Sequence, residues 1–217
     1  GLPHDPFKSC VIPRPIGWIS TVDAQGRHNL APYSQFQNVT FDPPIVMFSA
    51  NQTTQGERKD SVRNAEQTGE FVWNMATYEL RDAVNISAEE VPYGVDEFER
   101  AGLEKLPSRL VKPMRVKGSP IQFECVYLNS LRFPGKPPMG TADVVFGRVV
   151  AIHIDDQVID ANGLIDVLKI QPLARMGYYD YTFVDKKFQM VIPGDSKALL
   201  AGLEGSADKA AQSSAKP

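Results

Sequence analysis

A chain of 217 residues fits one domain, or one domain with a lobe, and can bury a core without disulfides or structural metal. Hydrophobic residues make up 42% and charged residues 23%; 23 Lys plus Arg against 26 Asp plus Glu leave a formal net charge of −3. That balance argues against an electrostatic nucleic-acid binder, which normally carries a basic excess or stripe, but permits one anionic ligand held by a few local cations.

No window approaches the roughly 20 apolar residues of a membrane-spanning helix. Residues 1–12 are polar and broken by Pro3 and Pro6, so no signal-peptide core is expected there. Cys10 and Cys125 form no metal-spaced or redox pair and read as two free thiols in a reducing, cytoplasmic compartment. His4, His28 and His153 are scattered, which leaves a zinc site or a Ser-His-Asp triad without support.

The first predicted elements are two strands, residues 15–22 (PIGWISTV) and 27–34, around Asp23-Ala24-Gln25-Gly26. Asp23 can fold back onto that turn, and Gly26 can take positive φ without a Cβ clash. Residues 45–50 (IVMFSA) follow Asp42-Pro43-Pro44 and suit a strand buried on both faces. Residues 59–68 change period: Val62 and Ala65 sit three apart among charges, Asp60 can cap the start and Gly69 follows the end, which predicts a short amphipathic helix. Residues 70–76 (EFVWNMA) return to strand, 78–87 read as helical, and 92–107 as a surface excursion with one more short helix.

Residues 121–127 place Ile121, Phe123, Cys125 and Tyr127 on one face of a strand, with Gln122 and Glu124 pointing away. The longest β-type run is 143–154, with Gly147 as a bulge or bend; the Pro- and Gly-rich stretch 132–138 before it is a loop. Residues 163–169 read as a helical turn or two and 178–191 as a final pair of strands. Residues 205–217 hold no aromatic or β-branched side chain and are expected to be a disordered tail after a single domain over 1–204. Seven or so strands without β-helix-β alternation suggest a mainly β fold, a closed antiparallel barrel with a few short helices. Trp18 and Trp73 read as core.

Three segments can carry chemistry. The first, 29–38 (NLAPYSQFQN), offers Asn29, Ser34, Gln35 and Asn38 around Pro32, which breaks strand pairing; freed backbone groups and short polar side chains there can hydrogen-bond a planar, amide-rich heterocycle. The second, 49–61 (SANQTTQGERKDS), runs from a strand end through a hydroxyl- and amide-rich loop to a helix start. Free N–H groups and the dipole there attract a phosphate, and Lys59 or Arg58 adds a charge-assisted hydrogen bond. Asp60 fits less well beside a dianion and reads instead as a helix cap or a partner of Arg63. The third, 173–179, sets Arg175 beside Gly177, Tyr178 and Tyr179, a cation and aromatic faces for an anionic or planar ligand. Taken alone, each segment also has a plain structural account: a polar strand end, a solvated helix N-terminus and an ordinary β-turn. No G-x-G-x-x-G or Walker-type loop is present, so neither a Rossmann site nor a P-loop is supported.

Taken in order, these segments resemble the flavin reductase-like, FMN-binding split-barrel family. The likeness runs through RPIGWIST (14–21), VDAQG (22–26), NLAPYS (29–34), DPP (42–44), KDSVRN (59–64), TGEFVWN (68–74) and PLARMG (172–177), and covers about residues 10–193. It implies an antiparallel split barrel that forms a homodimer with FMN near the subunit interface. By segment, the resemblance sets Asn29, Pro32, Ser34, Gln35 and Asn38 where the isoalloxazine and ribityl chain are held. It sets Ser49, Asn51, Lys59, Asp60 and Ser61 at the phosphate end, and Arg175 and Tyr178 beside the open flavin face, reaching it from the partner subunit.

The function implied is an NAD(P)H-dependent flavin reductase, with hydride passing from nicotinamide to flavin N5 and reduced flavin feeding a monooxygenase. A flavoprotein that keeps FMN and acts on another small molecule, and a non-catalytic FMN-binding electron carrier, stay open beside it. No side chain is singled out as catalytic, and no metal ligand is expected. The stretches 92–107 and 132–138 exceed those of compact flavin reductases and are placed to cover the flavin face.

Overall fold

A computed structural model describes residues 1–137 and 140–190 of the chain. In chain order the elements are α1 (Phe7–Cys10), β1 (Arg14–Pro15), β2 (Gly17–Val22), β3 (His28–Tyr33), β4 (Phe36–Phe41), β5 (Pro44–Asn51), α2 (Asp60–Thr68) and β6 (Glu70–Asn74). They continue with α3 (Arg81–Ile86), α4 (Glu97–Arg100), β7 (Lys105–Leu106), β8 (Arg115–Val116), β9 (Ile121–Phe133), β10 (Ala142–Ile154), α5 (Val167–Ile170), β11 (Leu173–Arg175) and β12 (Tyr181–Phe183). All of them lie in one unit, Gly1–Lys186; a second unit, Lys187–Pro217, has residues 187–190 described and no regular structure there. Among the described residues no helix is long and apolar enough to cross a membrane.

Seven strands form one antiparallel sheet in the order β3-β2-β6-β9-β10-β5-β4. The two outer strands, β3 and β4, are successive in the chain and separated by only Ser34 and Gln35. The sheet must therefore curl until its edges meet at that link, yet β3 and β4 are not paired. The barrel is split rather than closed. Ser49 N–H donates to the Gln35 carbonyl at 2.8 Å and so carries the β4–β5 pairing one residue past Phe36, up to the link at the split.

Alternation along β2 shows how both faces of the wall are filled. Ile19 belongs to one buried cluster, with Phe48, Phe71, Trp73, Cys125 and Val145, inside the barrel. Trp18, one residue earlier, points the other way into a second cluster with Leu30, Val84, Phe98 and Val116, where α3 and α4 cover the outer face. Trp18 is fully buried, and its Nε1 donates to Ser87 Oγ at 2.9 Å, pinning the end of α3 to the wall. Gly147 sits at a register shift between β9 and β10, the bend foreseen for it. A Cβ there would meet the Phe71 ring at 2.3 Å, so the core itself requires glycine.

Several expectations need correction. The candidate segment 29–38, whose plain structural account is a polar strand end and turn, continues instead into a further strand, β4, in which Gln37, Asn38 and Val39 are exposed and mask the strand pattern. Strand β9 runs on to Phe133, so Arg132 and Phe133 are strand rather than loop. The expected final strand pair over 178–191 reduces to β12, which pairs with β11 beside β1; residue 191 lies outside the described residues, as does the tail over 205–217. Gln122 and Glu124 do point away from the barrel interior, but that face is covered too. Glu124 is fully buried, accepts Arg109, Leu110 and Val111 N–H, and meets His153 Nε2 at 2.5 Å.

Candidate functional site

Helix α2 forms where the sequence foresees it, since Val62 and Ala65 bury one face and Gly69, at φ 76, takes the left-handed turn that ends it. Its N-cap, however, is Lys59, and no side chain caps the first turn. Asp60 is the first helical residue and does not cap. It accepts instead from Gly94 N–H, and burial raises its carboxyl above the usual range. Arg63 lies over the Tyr93 ring at 4.0 Å. Uncapped N–H groups at the head of α2 are thus left beside the loop that leads into it.

Arg58 and Lys59 diverge at this point. Arg58 forms a two-armed contact with Glu66, 2.6 Å on each arm, and donates through Nε to Asp143 at 3.2 Å. Asp143 also receives Arg132 Nε at 2.8 Å and is buried, so Arg58 belongs to a structural network and has no free arm for a ligand. Lys59 reaches the other way. Its Nζ donates to Glu90 Oε2 at 2.8 Å, and Glu90 Oε1 accepts Thr54 N–H at 3.0 Å and Thr54 Oγ1 at 2.6 Å. Lys59 and Thr54 together hold the Glu90 carboxyl down to about 2.

A cleft of about 90 Å³ lies here, bordered by Asn29, Pro32 and Tyr33 of β3, by Lys59 and Asp60 at the head of α2, and by Glu90 among residues 87–91. Four of the foreseen site residues, Asn29, Pro32, Lys59 and Asp60, are brought together by it, although the first two lie some thirty residues before the others. Strand β3 is an outer strand of the sheet, and on its free edge Leu30 N–H donates to Glu97 Oε2 at 2.8 Å. Pro32 is the next residue on that same edge and has no N–H to offer, which is how a proline is tolerated there.

Asn29 is buried at 4% exposure with its amide in full use. Its Oδ1 accepts Thr21 Oγ1 at 3.0 Å and Ser61 Oγ at 2.8 Å, and its Nδ2 donates to both Glu97 oxygens at 3.1 Å. Thr21 Oγ1 in turn accepts Asn64 Nδ2 at 3.1 Å, and Asn64 Oδ1 accepts the Tyr93 hydroxyl at 3.0 Å. Asn29 and Ser61, drawn from two separate candidate segments, are therefore hydrogen-bonded neighbours, Asn29 at the cleft border with its amide already engaged and Ser61 behind it. Among the described residues no cation pairs with Glu97, and burial pushes its carboxyl up to about 7 despite the N–H groups it accepts.

The remaining foreseen residues lie elsewhere. Ser34 and Gln35 form the link at the split. Ser49 and Asn51 are on β5, opposite Val144 and Ala142, where that strand leads toward the loop of Thr54. Asn38 is exposed on β4 and accepts from Gln37 Nε2 at 2.6 Å. Arg175 and Tyr178 belong to the small sheet and its turn: the Arg175 guanidinium lies 4.5 Å over the Tyr181 ring and donates to the Tyr181 hydroxyl and the Tyr178 carbonyl. Neither borders the cleft.

Sequence reasoning missed Glu90, Glu97, Thr54 and Tyr93 as parts of the site. Thr54 sat within a loop recognised as hydroxyl-rich. Glu90 and Glu97 lay in or beside a stretch read as surface, and the partners they find are 31 to 68 residues away in the chain.

Comparison with known proteins fits this geometry. Residues 9–185 match the family model of the flavin reductase like domain. An uncharacterised protein of Aquifex aeolicus is 36% identical over 182 residues, 83% of this chain and 90% of its own. Among solved structures, nitrilotriacetate monooxygenase component B from Bacillus cereus superposes with a TM-score of 0.78 at 30% identity, covering 85% of this chain and 90% of that one. The 2-nitrobenzoate 2-nitroreductase of Pseudomonas fluorescens gives 0.75 at 25% identity, over 86% and 88%.

Proposed function

The chain belongs to the flavin reductase-like family, and from that premise we propose that it binds FMN and uses it to accept hydride from NADH or NADPH. One observation supports this most directly: Thr54 N–H, Thr54 Oγ1 and Lys59 Nζ converge on a single oxyanion at the uncapped head of α2, beside the cleft edged by Pro32 and Tyr33. A carboxylate sits on those donors, and a phosphate monoester presents the same oxygen chemistry with more charge. Bound FMN supplies the redox chemistry through its ring system.

The chain's own part is then binding and orientation. Lys59 and Thr54 hold the phosphate end, with Ser49 and Asn51 on the strand that leads to them and Asp60 on the first turn of α2. Pro32, Ser34, Gln35 and Asn38 follow the barrel edge where the ring and ribityl chain lie. Asn29 and Ser61 are positioning residues: with their polar atoms engaged to one another and to Glu97, they fix β3 against α2 and α4. No side chain is assigned a proton-transfer role.

As the family resemblance implies, we extend this reading to a homodimer in which Arg175 and Tyr178, which do not border the cleft within one copy, approach the flavin of the partner subunit. Likeness to a monooxygenase component B supports delivery of reduced flavin to an oxygenase. A second reading, a flavoprotein that retains FMN and acts on another small molecule, is favoured by residues 87–91, which narrow the cleft.

Mixing the protein anaerobically with FMN and NADH, then NADPH, separates these readings. Flavin absorbance that bleaches over many turnovers supports the reductase. A stoichiometric bleach that stops supports retained FMN or an electron carrier, and no bleaching with either nucleotide overturns hydride transfer. Light scattering during size exclusion reports the dimer.

A further inference from the structure

Glu90 occupies the donors that an anionic ligand needs. Its carboxylate accepts from the Thr54 amide and hydroxyl and from the Lys59 ammonium, which lie on the loop before α2 and at the helix head. The segment that delivers it is tethered at both ends. Before it, Ser87 is held by Trp18 Nε1, and Glu89 N–H donates to the Ile86 carbonyl at 3.2 Å. After it, Val95 N–H closes a turn onto the Pro92 carbonyl at 3.1 Å. Between these points, among the described residues, no backbone hydrogen bond ties Glu90 or Val91 to the rest of the chain. Side chains on either side are tied, Glu89 to Arg100 and Tyr93 to Asn64, and at Glu90 itself the carboxylate is the tie to the rest of the chain. With the strap in place the cleft measures about 90 Å³, below the roughly 300 Å³ at which small-molecule pockets begin.

We propose that Glu90 is a resident competitor for the phosphate of FMN: an internal carboxylate that keeps the anion seat filled and the cleft narrow until a phosphate ester displaces it. This rests on the reading that the phosphate end of FMN binds at Thr54 and Lys59. Displacement exchanges one oxyanion for another on the same donors, so those N–H, O–H and ammonium groups are satisfied in both states. A ligand without a phosphate cannot make that exchange, and the strap thus acts as a filter for phosphorylated flavin. The groups facing the Glu90 carboxylate are Lys59 and Thr54, and both are donors.

The test compares Glu90→Gln and Glu90→Asp with the unaltered chain, titrating FMN and riboflavin by flavin fluorescence and inorganic phosphate by thermal shift. Glu90→Gln should bind FMN about tenfold tighter, as expected for removing one charge-assisted competitor, and riboflavin should gain affinity as well, because the unlatched strap no longer filters for a phosphate. Glu90→Asp keeps the charge but shortens the reach, and should also tighten FMN. Inorganic phosphate should stabilise Glu90→Gln more than the unaltered chain. Equal or weaker FMN binding by Glu90→Gln overturns the competitor. If no protein binds FMN while phosphate still favours Glu90→Gln, the FMN reading fails and the competitor stands for another phosphate-bearing ligand.

Discussion

Arg58 and Lys59 are adjacent in the chain and carry the same charge, yet one is built into the barrel and the other faces the cleft. Arg58 spans α2 and β10 through Glu66 and Asp143, using three of its nitrogens at once. Lys59 makes one ion pair, with Glu90 in the segment between α3 and α4. The difference follows from the side chains. A guanidinium is a planar fork that fixes two carboxylates in one geometry, while an ammonium is a point charge on a flexible stem that accepts whichever anion is near. Permanent architecture uses the fork; an exchangeable seat suits the point charge.

The largest effect expected on this contrast comes from Asp143. It is buried at 2% exposure and is the carboxylate shared by Arg58 and Arg132. Asp143→Asn removes the charge that both guanidiniums face, and should destabilise the fold by about 4 kcal/mol in urea unfolding. Affinity for FMN should stay within a factor of two of the parent, since no atom of that network borders the cleft. Loss of FMN binding by the still-folded variant would merge the two regions into one.

Glu97 gives the next effect, and it depends on pH. Burial raises its folded value to about 7, above the ordinary carboxylate range of an unfolded chain. A carboxyl more readily protonated in the folded state favours folding when neutral. Its contribution is therefore most favourable below about pH 4.5, is lost as pH rises toward 7, and is constant above that. Over that window the group should withdraw roughly 3 kcal/mol of stability, from about 1.4 kcal/mol for each unit. Glu97→Gln should flatten this part of the stability–pH curve measured by urea unfolding at fixed temperature. A parallel curve for the variant would show that Glu97 ionises in the folded chain as it does in water.

How far the site was legible follows the same divide. Periodicity marked α2 and the wall strands because Val62, Ala65, Ile19 and Phe71 must be buried whatever else the chain does. Ordered short motifs brought Asn29, Pro32, Lys59 and Asp60 forward together. Nothing local distinguishes Arg58 from Lys59, because the carboxylates that separate them, Glu66, Asp143 and Glu90, arrive from three other parts of the chain. Strand β4 was hidden for a related reason: an edge strand with exposed polar residues lacks the apolar alternation that reveals its neighbours. Glu97 reads as a surface acid until α4 is folded over the free edge of β3.

On the exchangeable side, Lys59→Ala should weaken FMN at least tenfold, about 1.4 kcal/mol, while riboflavin binding is unaffected. Because the Lys59–Glu90 pair is roughly a third exposed, its loss should change folding stability by less than about 1 kcal/mol. Flavin fluorescence titration and urea unfolding on the same preparation read both quantities. Equal weakening of FMN and riboflavin would mean that Lys59 supports the cleft as a whole and not the phosphate.

The smallest effect is also the sharpest comparison, the exchange of Arg58 for the residue that follows it. Arg58→Lys keeps the positive charge beside Glu66 and Asp143 but cannot reproduce the two arms to Glu66 together with the third contact to Asp143. One charge-assisted hydrogen bond or more is lost in a partly exposed setting, which should destabilise by about 1 kcal/mol. For a chain of this size that is a fall in Tm of about 3 °C, with FMN affinity unchanged. The reciprocal Lys59→Arg should leave Tm within about 1 °C and preserve FMN binding, because the seat selects charge rather than shape. If Arg58→Lys loosens FMN as much as Lys59→Ala does, the loop and helix head act as one rigid unit, and the separation between framework charge and ligand charge fails at its narrowest point.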